Sequence, residues 1–334
     1  PLPLPMIAPE FGIVLCAGVG VRLRPLTDVE PKPALRFVDR PIAEYALDAL
    51  RDVGVGRIGV NAHHLPERID AVVRGAVERW SAEATAPPQT TLVVEPDLLG
   101  TGGGARGVWD RLGAPRGTVC VINGDVVADF PIDAMLKVHR RTGAAATLML
   151  LPPVVGETAV WLDQDERFVA QLPAPSDVWS SSRYAPGKPA TFGGVYLLEA
   201  EVFERLPHAN ACLIRDGVGP LLPQGAIVAA YVHTGFWADL GTPRRFFDAT
   251  LQVLASPSLL PAAPVRPRTD GVYVADRRSV DPDATILGPA YVAPGATIER
   301  DARVGPGAVV GSGCVVRAGA VVAESILMSG AVAD

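Results

Sequence analysis

Long uncharged apolar runs are missing from this chain of 334 residues. No stretch reaches the roughly eighteen residues of a membrane-crossing helix, and the N-terminus has neither the basic nor the apolar region of a secretory signal. A soluble, cytoplasmic protein with no membrane partner is expected. Paired cysteines are missing too. Cys16, Cys120, Cys212 and Cys314 lie far apart with no C-x-x-C, which argues against a zinc site or a disulfide framework and reads as small buried hydrophobes. Positive charge is scarce: 30 Lys and Arg face 36 Asp and Glu, a formal net charge of −6. Such a balance offers nucleic acid and anionic membranes no general attraction. A phosphate ligand must therefore be held by a local basic site.

Apolar residues make up 49% of the chain, and its length allows one large α/β domain plus a smaller one. Residues 1–10, with Pro1, Pro3, Pro5 and Pro9, read as an extended arm. Over 11–254, short apolar β-like runs alternate with helical patterns, as in a mostly parallel Rossmann-like sheet covered on both faces. Strands are expected at Phe11–Leu15, Arg57–Val60, Thr91–Val94, Thr118–Ile122, Ala146–Leu151 and Val195–Leu198. A helix is expected from Pro41, at its first position, to Val53, with Ile42, Tyr45, Ala46, Ala49, Leu50 and Val53 on its buried face and Gly54 closing it. Pro, Ala and Ser dominate the start of 255–279, which reads as a linker.

Residues 280–334 are a repeat. Val280, Ile286, Val292, Ile298, Val304, Val310, Val316, Val322 and Met328 recur at every sixth position. Two residues before most of them stands a small one: Ala284, Ala290, Ala296, Ala302, Ala308, Cys314 and Ala320. A period of six fits neither 3.6 nor 7 and so is not helical. It puts one inward side chain on each short strand, with a turn after it. The pattern resembles the hexapeptide repeat of left-handed parallel β-helices, which implies about three triangular coils. It runs to Asp334 without a visible cap, so either more chain follows or a partner subunit is expected over that coil end.

The residues that could carry chemistry begin after the first strand, in Cys16-Ala-Gly-Val-Gly-Val-Arg-Leu-Arg-Pro-Leu-Thr27, followed by Pro31-Lys32-Pro33. A glycine-rich turn lets backbone N–H groups approach phosphate oxygens, while Arg22 and Lys32 supply local positive charge. Leu23 stands where a dinucleotide fingerprint has its third glycine, and no Gly-Lys-Ser/Thr makes a Walker loop. Asp125, in Val121-Ile-Asn-Gly-Asp125, stands at a strand's C-terminal end, where α/β folds collect ligands.

G-x-G-x-R-L-x-P-L-T with a trailing P-K-P resembles the signature of the sugar-phosphate nucleotidyltransferase family. Glu95-Pro-Asp-Leu-Leu-Gly-Thr101-Gly-Gly-Gly104 resembles its base-recognition loop. Val121–Asp125 and Trp237-Ala-Asp239-Leu-Gly-Thr-Pro243 resemble its two metal-ligand strand ends, and Thr191-Phe-Gly-Gly194 its sugar-binding strand. The resemblance implies an enzyme that transfers a nucleotidyl group from a nucleoside triphosphate to a sugar 1-phosphate, with Mg²⁺ as cofactor. Arg22, Lys32, Asp125 and Asp239 are then the catalytic residues, with Asp125 and Asp239 on the metal. The nucleotide falls to Leu15, Ala17, Gly18, Gly20, Arg22, Glu95, Gly100, Thr101, Gly102 and Asn123. The sugar falls to Gly124, Thr191, Gly193 and Gly194. Asn61-Ala-His63-His64 reads as a structural or sugar-proximal loop.

Many relatives carry a mid-chain Glu-Lys-Pro whose lysine grips the sugar phosphate, whereas here Arg167-Phe-Val-Ala-Gln171-Leu-Pro173 has none, leaving Lys188 or Arg183 as replacements. That gap and the triple glycine are similar to N-acetylmuramate-1-phosphate uridylyltransferases. The repeat tail and Leu99-Gly100-Thr101 are similar to mannose-1-phosphate guanylyltransferases. GTP with mannose 1-phosphate is the first expectation, and UTP with N-acetylmuramate 1-phosphate or another hexose or heptose 1-phosphate the alternative. A non-catalytic nucleotide-sugar-binding regulatory subunit is the reading from another class. Residues 280–334 contain no histidine, so an acyltransferase tail is not expected, and the tail reads as a module for homo-oligomerisation or regulation.

Overall fold

The computed structural model describes residues 8–83, 86–154, 159–162, 168–171, 188–266 and 269–334. Most of the arm, Arg183, and the Arg167, Leu172 and Pro173 of the lysine-less stretch lie outside the described residues. The chain forms two compact units. One comprises residues 1–34, 43–126 and 130–237, the other 35–42, 127–129 and 238–334.

Among the described residues, the first unit is built on a nine-stranded sheet. Its parallel block runs Gln89–Val94, Arg57–Ala62, Phe11–Leu15, Val119–Asn123 in spatial order. The chain leaves Phe11–Leu15 on one side for two strands and returns on the other, so the order reverses beside Phe11–Leu15. Ligands gather at the carboxyl ends of strands at such a switch point. Register sharpens this: Leu15 is the partner of both Asn61 and Asn123, so the three form one row at those ends. Beyond them lies a strand longer than expected, Lys188–Leu198, which runs antiparallel to Val119–Asn123 and to Ala146–Leu151.

Helices cover both faces because their apolar positions recur at helical spacing. In Ile42–Asp52 the side chains of Ile42, Tyr45, Ala46 and Leu50 are buried. Pro41 is not its first residue as expected; it pairs with Arg36 in a short ribbon, and the helix begins one residue later. Two clusters fill the two faces of the sheet. One gathers Val14, Leu50, Ile58, Trp80 and Met135, the other Ile13, Val108, Trp109, Phe203 and Leu213.

In the second unit, residues 272–333 form three parallel sheets. Val272 pairs with Ala290 and Ala290 with Ala308, so the chain comes back to the same sheet every eighteen residues, or three hexapeptides. The arrangement is consistent with a β-helix. Its first strand, Val272–Val274, falls inside the stretch read as linker. The six-residue pattern maps directly onto burial, with Val292, Ile298, Val304, Val310, Val316 and Val322 in one core with the alanines and Cys314. Each such valine or isoleucine contributes about 1.5–3 kcal/mol by leaving water. The last expected position is displaced. Val310 pairs with Leu327, seventeen residues on, so Leu327 and not Met328 packs against the core. Glu324, at a φ of 45°, turns the chain within the shortened repeat.

Candidate active site

Gly18 and Gly20 lie in the turn that follows Phe11–Leu15. Gly20 sits at φ 66°, where a side chain is disfavoured, and a Cβ there would come within 3.0 Å of Thr27 Cγ2. Thr27 Oγ1 donates to the Gly20 carbonyl at 2.9 Å, and the His64 ring bonds the Thr27 carbonyl through Nε2 at 2.6 Å. His63 Nδ1 lies 2.9 Å from the Glu95 carbonyl. Both histidines therefore brace loops, as their structural reading has it.

Pro31-Lys32-Pro33 turns into a short 3-10 helix that buries Lys32. Its Nζ donates to Asp125 Oδ2 at 3.0 Å, while the Asp125 side chain stays 44% exposed. A cavity of about 230 Å³ opens beside this pair. It is lined by Leu15, Ala17, Gly18, Gly20, Lys32, Pro33, Asn61, Leu98, Gly100, Thr101, Asn123 and Asp125. All but three of these were expected in the site. Asn61, Leu98 and Pro33 were missed, although Asn61 carried a signal in its position near the carboxyl end of a parallel strand.

Several expected residues have other positions. Arg22 is exposed on the turn Val21–Leu23 and is not among the lining residues. Glu95 is 5% exposed with its carboxylate engaged inside the fold: Asn61 Nδ2 donates to Oε1 at 2.6 Å and the Leu99 amide to Oε2 at 3.3 Å. Gly102 donates its N–H to the Ala211 carbonyl at 2.8 Å. The triple glycine thus has a packing reason. A Cβ on Gly103 would collide with the Ala209 carbonyl oxygen, and one on Gly104 would stand 2.5 Å from Asn61 Nδ2 and 2.6 Å from Glu95 Oε1.

The four residues expected on the sugar are also not among those lining the cavity. Gly124 donates to the Leu15 carbonyl at 2.9 Å, which puts Asp125 at the rim. Thr191 is buried and its hydroxyl accepts from the Val154 amide at 2.8 Å. The Gly193 carbonyl accepts from Trp237 Nε1 at 2.9 Å, and Gly194, at φ 83°, lies against Asn123.

Asp239 belongs to the second unit, where it ends the strand Trp237–Asp239. Its side chain is largely buried, and Arg245 Nη1 lies 3.0 Å from its Oδ2. Thr242 caps the following helix Pro243–Ala255 by accepting from the Arg245 amide at 3.3 Å.

Among the described residues, no three His, Cys, Asp or Glu side chains gather as a metal cage. Mg²⁺ asks for less. It keeps several waters and binds through one or two carboxylates plus phosphates, and a half-exposed Asp125 on a cavity fits that demand. Asn123 Oδ1 is buried without a hydrogen-bond partner among the described residues, leaving one acceptor on the cavity wall. Burial pushes the Cys16 thiol far up, with the Asp125 charge adding to it, so it is no nucleophile. Three of the four cysteines are buried and Cys212 partly so. Among the described residues, no helix is long and apolar enough to cross a membrane.

The Nucleotidyl transferase family model matches residues 11–159, the span that supplies every residue of the cavity wall. A mannose-1-phosphate guanylyltransferase of Mycobacterium tuberculosis is 30% identical over 286 residues, covering 84% of this chain and 74% of its own length. A mannose-1-phosphate guanyltransferase of Saccharomyces cerevisiae is 27% identical, covering 82% and 72%. A UTP–glucose-1-phosphate uridylyltransferase of Synechocystis is 27% identical, covering 84% and 73%. The glycine turn, the lysine–aspartate pair and these likenesses agree, and the chain belongs to the nucleotidyl transferase family, among the sugar-phosphate nucleotidyltransferases.

Proposed function

We propose that this protein transfers the GMP unit of GTP to mannose 1-phosphate, giving GDP-mannose and pyrophosphate. The observation that carries the reading is the buried Lys32 ammonium on Asp125, at the rim of a cavity framed by a glycine turn. Guanylyl transfer to mannose is favoured by the names of the M. tuberculosis and S. cerevisiae relatives. The triple glycine, which resembles the N-acetylmuramate enzymes, also has a packing role: Gly102 and Gly103 lie against residues 209–211 and Gly104 against Asn61 and Glu95.

A phosphate oxygen of the sugar 1-phosphate attacks the α-phosphorus, a new P–O bond forms, and the bond to the β-phosphate breaks. No protein nucleophile is needed, so the chain's work is positioning and charge. The glycine turn offers backbone N–H groups to the phosphates. Lys32, held rigidly by burial, faces the negative charge at the reacting phosphate. Arg22 lies on the exposed turn, where it can reach the outer phosphates. Asn123 Oδ1 accepts a hydrogen bond from a nucleoside or sugar hydroxyl. Asp125 would hold the divalent cation, taken as Mg²⁺, and Asp239 is proposed as a second carboxylate on the strength of its motif alone. When bound, the cation neutralises phosphate charge. Residues 280–334 are proposed to coil left-handed and to join copies of the chain.

The test is pyrophosphate release from a grid of GTP, UTP, ATP, CTP and dTTP against mannose, glucose and N-acetylmuramate 1-phosphates with Mg²⁺. GTP with mannose 1-phosphate is expected to be fastest. Preference for UTP with another sugar overturns the substrate assignment. Tight product binding with no pyrophosphate from any pair makes the protein a regulatory subunit instead.

A further inference from the structure

Asn61 is 2% exposed, yet it stands between two groups with opposite needs. Its Oδ1 accepts from the Cys16 backbone N–H at 2.7 Å, and its Nδ2 donates to Glu95 Oε1 at 2.6 Å. Glu95 Oε2 in turn accepts from the Leu99 N–H at 3.3 Å. An unbroken chain of hydrogen bonds therefore runs from the glycine turn, through a strand end, to the loop before the helix Gly100–Arg111. The turn gives the cavity Ala17, Gly18 and Gly20; the loop gives it Leu98, and the helix that follows begins with Gly100 and Thr101, which also line it.

We propose that Asn61 is a positioning residue for the nucleoside triphosphate, its carboxamide fixing the glycine turn and the segment 95–101 at the spacing the nucleotide requires. The inference rests on reading this cavity as the nucleotide site. A carboxamide is the chemical choice because it accepts and donates at once. An aspartate in its place keeps the bond from Cys16 but turns a second carboxylate oxygen on Glu95, and an aliphatic residue loses both bonds. Burial keeps water from replacing them, which is where a half-satisfied polar network costs most. Gly104 points the same way: any side chain there would wedge between Asn61 Nδ2 and Glu95 Oε1. Glu95 then acts through Asn61 and Leu99, which explains why a carboxylate of the base-recognition motif is not on the cavity wall.

The test uses the full chain, Asn61→Asp and the double variant Asn61→Asp with Glu95→Gln. In the double variant the introduced amide donates to the introduced carboxylate and its oxygen still accepts from Leu99, so every bond returns with one donor reversed. GTP and UTP binding is measured by calorimetry, KM for triphosphate and for sugar 1-phosphate by pyrophosphate release, and folding by circular dichroism and melting. N61D is expected to weaken triphosphate binding and raise its KM about tenfold or more, with the sugar 1-phosphate KM within about threefold of the parent. The double variant is expected to recover triphosphate affinity to within about threefold of the parent. A folded N61D with parental triphosphate affinity, an equal rise in both KM values, or a double variant no better than N61D overturns the proposal. If N61D does not fold, the double variant is read alone: near-parental affinity supports the proposal, and weak affinity or failure to fold overturns it. A parent that binds neither GTP nor UTP refutes the reading of the cavity instead.

Discussion

The stacked sheets of residues 272–333 and the cavity framed by residues 15–125 are organised in opposite ways. In the stack, most buried side chains are predicted by the one six residues before, because each coil of three hexapeptides pairs only with the coils before and after it. The cavity is a row of residues far apart in sequence, Leu15, Asn61 and Asn123, aligned by strand register. Substitutions in the stack should therefore act on stability, and substitutions at the cavity on turnover.

The sharpest way to break that contrast is Asp125→Asn, which removes charge and changes almost no volume. Turnover is expected to fall several hundredfold, about 3 kcal/mol of transition-state stabilisation, with the melting temperature little changed. Steady-state kinetics and calorimetry check it, and near-parental turnover removes Asp125 from the site. Gly104→Ala comes next and tests whether close packing behind the cavity is part of it. Its Cβ would press on both Asn61 and Glu95, so a loss of about 1–3 kcal/mol in stability is expected together with weaker triphosphate binding.

Val310→Ala should lower stability by about 2 kcal/mol in denaturant titration while kcat stays parental; an equally large loss of turnover would join the two regions functionally. Leu327→Ala should cost more than Met328→Ala, although the strict six-residue count marks Met328, because strand pairing gives Leu327 the inward place. Equal melting temperatures for the two would refute the shortened last repeat.

The smallest effect concerns neither region. Hydrogen bonds from His139 and Thr118 hold the Glu199 carboxyl below its usual range despite partial burial. A carboxyl lowered by folding adds stability above its unfolded value of about 4.3 and loses it as the pH falls through the folded value. The melting advantage of the parent over Glu199→Gln should therefore be full at about pH 6 and shrink below about pH 4.5.

Local patterns carried much of this protein in the sequence. The strands Phe11–Leu15 and Ala146–Leu151 are bounded as expected, since each is a short apolar run with clear breaks. Lys32 and Asp125 were legible from their motifs. Their 3.0 Å contact was not, because 93 residues separate them. Lys188–Leu198 was seen only at its end, as its antiparallel direction is a property of its neighbours. Glu95 and the triple glycine illustrate the same limit. A motif names residues that belong together but not which of them face the ligand and which hold the others.

The sequence by itself determined the mostly parallel sheet and the six-residue stack, because apolar periodicity and glycine placement are local demands of backbone geometry, and it pointed to the reaction class through the resemblance of its motifs to a family. Only the tertiary structure decided that Asn61 is on the cavity wall, that Glu95 stands behind it, and that strand pairing overrides the six-residue count at the end of the stack, where Leu327 replaces Met328. Each of those outcomes depends on which strands lie side by side, and hydrogen bonds and close packing between distant segments leave no periodic trace in the chain.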